Sequence, residues 1–202
     1  MRYGLIRRLR RGARLGIIVS FDCSLDCKYC LLKNKQPNRP PDPPGRYSAG
    51  KWLEFIRTFP IPVKEVWLSG GEVGIYPNFA ELVNTLLMKR ILVTVYTNGV
   101  DAEPFLNITP SKYLRFYMTY HKKIDKNIKK LRAKGFRVDV TGFKEHHLID
   151  MPKQHRKDTI PADYLKPWVL RVGPDGTMFR NCLELVEHYH TLNENKNKRG
   201  AM

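Results

Sequence analysis

A chain of 202 residues with 42 % hydrophobic and 11 % aromatic side chains can bury a core of ordinary domain size, which excludes a disordered or collagen-like protein. Four cysteines are too few for a disulfide-dense scaffold, and no apolar stretch reaches the length of a membrane span. Lys and Arg outnumber Asp and Glu by 36 to 19, a formal charge of +17 that favours polyanions or acidic proteins as partners and says nothing about fold.

Arg2 to Arg14 form a basic arm in which Leu5, Ile6 and Leu9 supply a short apolar stripe. No long apolar run with a small-residue cleavage site follows, so no secretory signal is expected. Leu15 to Phe21 (LGIIVSF), rich in β-branched residues, predicts a buried strand. Gln36 to Arg46 (QPNRPPDPPGR) holds five prolines and predicts an extended surface loop. Ser48 suits the cap of a helix running to about Phe59, with Trp52, Phe55, Ile56 and Phe59 on one face. Val63 to Leu68 predicts a second strand. Pro77 suits the start of a helix to about Lys89, with Phe79, Leu82, Val83, Leu86 and Leu87 apolar. Ile91 to Tyr96 and Tyr113 to Tyr120 read as the third and fourth strands. Ile124 to Ala133 reads as a basic helix stopped by Gly135, and Phe136 to Phe143 as the fifth strand.

Strands alternating with helices imply parallel pairing through helical crossovers. Five are too few for a closed eight-stranded barrel and suit an open sheet or partial barrel. Glu145 to Lys166 lacks periodicity and reads as a long loop. Trp168 to Val172 and Thr177 to Cys182 flank Gly-Pro-Asp-Gly, a hairpin signal. The chain thus divides into a basic arm (1–14), an α/β core (15–144), a loop and hairpin cap (145–192) and a polar, frayed tail (193–202).

The chemistry concentrates after the first strand, in Cys23-Ser-Leu-Asp-Cys27-Lys-Tyr-Cys30. Three thiolates on one short loop can wrap one corner of an iron–sulfur cube and leave the fourth iron open to a ligand. The alternative is a zinc loop, which wants a fourth ligand; only Cys182, far along the chain, is a further cysteine. Three thiols crowded together point to a reducing compartment, and hence the cytoplasm. The second strand ends in Ser69-Gly70-Gly71-Glu72 and the third in Thr97-Asn98-Gly99. These turns fall where parallel α/β folds place their active sites.

The C-x3-C-x2-C spacing, Tyr29 directly before the third cysteine, the Gly-Gly-Glu turn and the Thr-Asn-Gly turn together resemble the radical S-adenosylmethionine (radical SAM) superfamily, over about Gly16 to Phe143. The resemblance implies a partial (β/α) barrel and a [4Fe-4S] cluster on Cys23, Cys27 and Cys30. It implies SAM held by the backbone of Gly70, Gly71 and Glu72, by Tyr29 beside the adenine, and by Asn98 at the ribose or carboxylate. Thr119 and His121, ending the fourth strand, would reach SAM or substrate. The implied activity is reductive cleavage of SAM to methionine and a 5′-deoxyadenosyl radical, which abstracts hydrogen from a substrate.

The chain is short for that superfamily. Its Leu170 to Cys182 stretch resembles the hairpin that opens the auxiliary-cluster extensions of the SPASM and twitch types. Those supply several cysteines, whereas here only Cys182 is present, so a second cluster is not expected in one subunit. Cys182 is left as a buried apolar residue, a substrate-facing thiol or a remnant ligand. A short, lightly capped chain suits a large substrate: a peptide, a protein, or a nucleic acid drawn to the Arg-rich arm. An acidic electron donor such as flavodoxin or ferredoxin is the other use for the charge. The rivals are a glycyl-radical-enzyme activase, a small-molecule radical enzyme and, from another class, a non-catalytic iron–sulfur or zinc module that binds nucleic acid.

Overall fold

A computed structural model describes residues 12–27, 30–33, 36–121, 124–141, 169–179 and 182–200. The basic arm before Gly12, Tyr29 and the predicted loop of 145–166 lie outside the described residues. Among the described residues, seven strands form a single sheet: β1 (Ala13–Ile18), β2 (Val63–Ser69), β3 (Leu92–Thr97), β4 (Leu114–Thr119), β5 (Val138–Thr141), β6 (Leu170–Val172) and β7 (Met178–Phe179). Their order across the sheet is β5-β4-β3-β2-β1-β6-β7. Every neighbour from β5 to β6 is parallel, and only β7 runs antiparallel to β6. The architecture is the α/β, partial-barrel class that the strand–helix alternation predicts, with six parallel strands.

Three helices provide the crossovers: α1 (Ala49–Thr58), α2 (Phe79–Met88) and α3 (Asp125–Ala133). The Ser48 hydroxyl accepts the Lys51 N–H at the start of α1, satisfying one of the donors a helix start leaves open. Before α2, Asn78 takes a left-handed conformation (φ 58°), so the helix begins at Phe79, two residues past Pro77. Alternate strand residues (Leu15 and Ile17, Val66 and Leu68, Val93 and Val95, Phe116 and Met118, Val138 and Val140) bury one face of the sheet. Trp52 and Ile56 of α1, Leu82 and Leu86 of α2, and Ile128 and Leu131 of α3 join that face in one core. With all three crossover helices on one side, the opposite face becomes the inner wall of an open barrel.

The hairpin does not sit over this wall as a cap. β6 pairs with β1, Leu15 opposite Leu170 and Ile17 opposite Val172, so it extends the sheet in its own plane. The reason is that β1 has a free side: β2 occupies only one of its edges, and the apolar Leu15 and Ile17 invite a second neighbour. A fourth helix, α4 (Cys182–Gly200), follows and runs through the segment whose polar sequence predicts a frayed tail. What anchors it is Leu185, Val186 and Tyr189, buried one to four residues apart on one face against Ile18, Phe21, Leu32 and Phe179. Among the described residues, no helix is long and apolar enough to cross a membrane.

Candidate active site

The cysteine loop leaves β1 and is seated at once on the turn that leaves β2. Val19 N–H donates to Ser69 O, Gly71 N–H to Ser20 O at 2.9 Å, and Glu72 N–H to Asp22 O at 2.7 Å. The two backbones lie so close that both glycines are required. A Cβ on Gly70, which has φ +152°, would stand 2.2 Å from Ser20 O, and one on Gly71 would stand 2.0 Å from Asp22 O. The Gly-Gly pair therefore has a structural cause inside the chain: it is where the cluster loop touches the next βα turn.

Glu72 ties that turn to the end of β3. Its side chain is 6 % exposed, and both carboxylate oxygens are occupied. Oε1 accepts the Thr97 hydroxyl (2.6 Å) and Gly74 N–H (2.9 Å); Oε2 accepts Asn98 N–H (2.7 Å). Burial pushes the carboxyl up from its ordinary range, against these three hydrogen bonds, which favour the charged form. Asn98, itself buried, completes the chain of contacts: Oδ1 accepts Val100 N–H at 2.9 Å and Nδ2 donates to Cys23 Sγ at 3.7 Å. Cys23 Sγ also accepts Leu25 N–H at 3.4 Å. Cysteine loop, Gly-Gly-Glu turn and Thr-Asn-Gly turn are thus one hydrogen-bonded unit at the C-terminal ends of β1, β2 and β3.

The proline-rich segment, expected to be a plain surface loop, is a clasp on the same unit. Asp42 accepts the Ser20 hydroxyl (2.6 Å) and Phe21 N–H (2.5 Å), and Arg46 bridges Asp42 and Asp22. Arg39 donates to Leu25 O (2.7 Å) and Cys23 O (3.3 Å). Lys33 pairs with Asp26 at 2.7 Å, and that hydrogen bond and charge hold the exposed Asp26 carboxyl below its usual value. Sequence reasoning missed Arg39, Asp42 and Arg46. The available signal is charge placed between prolines: a stiffened backbone presents fixed side chains, which a mere spacer has no need of.

The inner wall carries a row of aromatic and charged side chains just below these turns. Arg171 on β6, 4 % exposed, lies across Gly16, where any side chain would collide with its guanidinium, and sits 5.3 Å from the Trp67 ring centre. Trp67 stands 6.1 Å from Tyr96, and Tyr96 stacks on Tyr117 at 5.3 Å and 15°. Arg115 donates to the Tyr117 hydroxyl (2.8 Å) and pairs with Asp139. Trp67 and Tyr117 come two residues before Ser69 and Thr119, so each pair shares the inner face. Phe116 and Tyr120 are buried, while Tyr117 is half-buried on this wall.

Of the residues singled out from sequence, hydrogen bonds bring Cys23, Asn98 and Glu72 together and seat Gly70 and Gly71 on the cysteine loop, while Cys27 and Cys30 lie further along that loop, joined by Cys30 N–H to Cys27 O. Thr119 is half-buried at the end of β4, opposite Thr141, with His121 half-buried two residues on; both are three strands from β1. Cys182 opens α4, and only its backbone is among what is described.

The donor set suits an iron–sulfur cube. None of the three loop cysteines is in a disulfide, all are half-buried, and Cys23 Sγ faces two N–H donors that stabilise a thiolate. Among the described residues, no three metal-ligating side chains converge on one point for a single ion. A cube asks for something else, because each thiolate takes its own iron.

Residues 17–109 match the profile of the Radical SAM superfamily. No curated protein sequence matches the chain. Among solved structures, it is similar to BtrN in complex with AdoMet and 2-DOIA, with a TM-score of 0.56 and 16 % identity over 91 % of this chain and 80 % of that one. It is also similar to Streptococcus suis SuiB bound to S-adenosylmethionine (TM-score 0.54, 15 % identity, 96 % of this chain and 52 % of that one). SuiB bound to the precursor peptide SuiA gives a TM-score of 0.53 at 15 % identity, over 97 % of this chain and 50 % of that one. The chain thus spans about half the length of SuiB. At these identities the structural likeness speaks for the fold, and the profile match covers the cysteine loop and the two turns built onto it. Residues 17–109, just under half of the chain, thus match the Radical SAM superfamily, and the cofactors that go with that superfamily are a [4Fe-4S] cluster and S-adenosylmethionine.

Proposed function

We propose that Cys23, Cys27 and Cys30 hold the cluster and that the chain uses it to abstract hydrogen from a peptide or another macromolecule. When bound, cluster and SAM together supply a 5′-deoxyadenosyl radical. The observation that carries the reading is the joining of the three-thiol loop to the Gly-Gly-Glu and Thr-Asn-Gly turns by backbone and side-chain hydrogen bonds. The chain's own residues do the positioning. Glu72 fixes the two turns relative to each other, and the Arg39–Asp42–Arg46 clasp fixes the loop. By the likeness to the superfamily, the backbone of Gly70 to Glu72 would hold the SAM methionyl group, with Gly71 and Glu72 N–H already given to the cysteine loop, and Thr119 and His121 would lie toward substrate.

The inner wall supports the substrate class. Half-buried Tyr96, Tyr117 and Arg115, backed by the buried Trp67 and Arg171, offer flat apolar surface beside a fixed guanidinium donor, the combination that holds peptide backbone and side chains. That SuiB, on the same fold, is known with a precursor peptide supports this choice. The net charge of +17, with the exposed Lys126 and Lys129 on α3, suits docking of an acidic electron donor such as flavodoxin or ferredoxin in the cytoplasm.

The test is anaerobic reconstitution followed by incubation with SAM and dithionite. Wild-type protein is expected to hold about four irons per chain and to release 5′-deoxyadenosine. Cys23→Ala, Cys27→Ala and Cys30→Ala lose the iron, Cys182→Ala keeps it, and Gly71→Val loses it because the new side chain displaces the Asp22 carbonyl of the cysteine loop. Stoichiometric zinc without iron, or a full cluster that releases no 5′-deoxyadenosine, overturns the reading.

A further inference from the structure

We propose that Asn98 is a redox-positioning residue: its side-chain amide donates to the Cys23 sulfur and so raises the reduction potential of the cluster that Cys23 helps to hold. The inference rests on the reading of Cys23, Cys27 and Cys30 as cluster ligands. From sequence alone, Asn98 is expected to face SAM. In the structure its two side-chain atoms are both committed elsewhere. Oδ1 accepts Val100 N–H at 2.9 Å, and this fixes the amide so that the NH2 group is the end turned to Cys23 Sγ, 3.7 Å away.

The donor is also held in place. Asn98 N–H donates to Glu72 Oε2, and Glu72 is locked in turn by Thr97 and Gly74. Asn98 is buried, so water does not compete for the contact. Leu25 N–H gives the same sulfur a second donor from within the loop. The step affected is the uptake of one electron from a low-potential external donor; no bond forms or breaks in it. The added electron places more negative charge on the ligating sulfurs, so a donor aimed at one of them stabilises the reduced state more than the oxidised one. The arrangement makes the turn after β3 a control on the electrochemistry of a loop that follows β1.

The experiment compares anaerobically reconstituted wild type, Asn98→Ala and Asn98→Asp by redox titration with dithionite, following the reduced cluster by electron paramagnetic resonance. In Asn98→Ala the equilibrium constant for reduction by a fixed donor is expected to fall about tenfold, or about 59 mV for a one-electron couple. Asn98→Asp keeps an acceptor for Val100 N–H but turns a carboxylate toward the sulfur, and its potential is expected to fall further. Iron content, and the affinity of the oxidised protein for SAM, should stay within about twofold of wild type, less than the 1.4 kcal/mol that a tenfold change represents. Wild-type potentials in both variants overturn the proposal. So does a loss of SAM affinity with the potential unmoved, which would make Asn98 a SAM contact. So does loss of iron from both variants in protein whose circular dichroism is native, which would make it scaffolding. A wild-type protein that binds no iron–sulfur cluster overturns the underlying reading instead, and the two failures are told apart before any variant is made.

Discussion

Two hydrophobic cores hold this molecule, and they differ in origin. The larger lies between the sheet and its crossover helices and is built from alternating strand residues and helical stripes. The smaller joins Ile18, Phe21 and Leu32 around the cysteine loop to Phe179 of β7 and to Leu185, Val186 and Tyr189 of α4, with Cys30 packed against it. The large core makes the fold; the small one presses the C-terminal helix onto the cysteine loop. Phe21 and Tyr189 meet edge to face at 5.0 Å, and His190 Nε2 donates to Leu32 O at 2.9 Å. A chain can thus specify a sheet by periodicity and still need a distant segment to fix the loop where the chemistry sits.

Substitutions in the two cores should separate these roles. Phe116 is fully buried in the large core, with edge contacts to Phe105 and Phe136 at 5.3 and 5.2 Å. Phe116→Ala is expected to cost about 3–5 kcal/mol and to lower the midpoint of the whole unfolding transition, as read by urea denaturation. That is a large share of a domain's total of roughly 5–15 kcal/mol. Leu185→Ala, in the small core, removes a comparable amount of buried surface, about 2–5 kcal/mol by the same reckoning. Its effect should be local, releasing α4 and loosening the cysteine loop. Iron is then lost faster to a chelator, while hydrogen exchange at Val95 and Phe116 stays near wild type. Equal loss of protection in sheet and loop would show that the two cores unfold as one.

The smallest effect tests the polar edge of the small core. The Tyr189 hydroxyl donates to Asp175 in the turn of the β6–β7 hairpin at 2.5 Å. Burial opposes the charge on Asp175, but the hydrogen bonds from Tyr189 and Thr177 outweigh it and hold the carboxyl below its ordinary value of 3.8. A lowered carboxyl stabilises the fold above the unfolded-state value and ceases to do so as pH falls through the folded one. Tyr189→Phe is therefore expected to cost about 1 kcal/mol at neutral pH. The difference from wild type should close in strongly acid solution, below the ordinary value of 3.8, as Asp175 takes up its proton. A gap that persists unchanged there would mean the hydroxyl acts through packing and not through the ionised Asp175.

The two cores also differ in how far the sequence announces them. β2, β3, β4, α1 and α2 are legible to within a residue or two because alternating or helical apolar patterns recur around each of them. The three cysteines and the two glycine-bearing turns are legible because their residue types are rare and their spacing is narrow. Asp42, Arg39 and Arg46 are not. Their meaning lies in contacts across 14 to 26 residues to a loop with no periodicity of its own. The same holds for α4, whose polar segment forms a helix because three apolar residues near its start find a partner surface. The in-plane position of the hairpin escaped for a related reason: local pattern identifies a strand, and only the partner's open edge decides where it pairs.

That open edge has a consequence during synthesis. β2 follows β1 out of the ribosome soon after, yet β6 is made only after β2 to β5 and the segments between them. At translation rates of about 5–20 residues per second, the interval is on the order of ten seconds. For that time Leu15 and Ile17 belong to a strand with one side unpaired, the geometry that recruits foreign strands. A nascent chain stalled before Leu170 would present a ready template for aggregation, and holding chaperones should bind it more strongly than the finished protein.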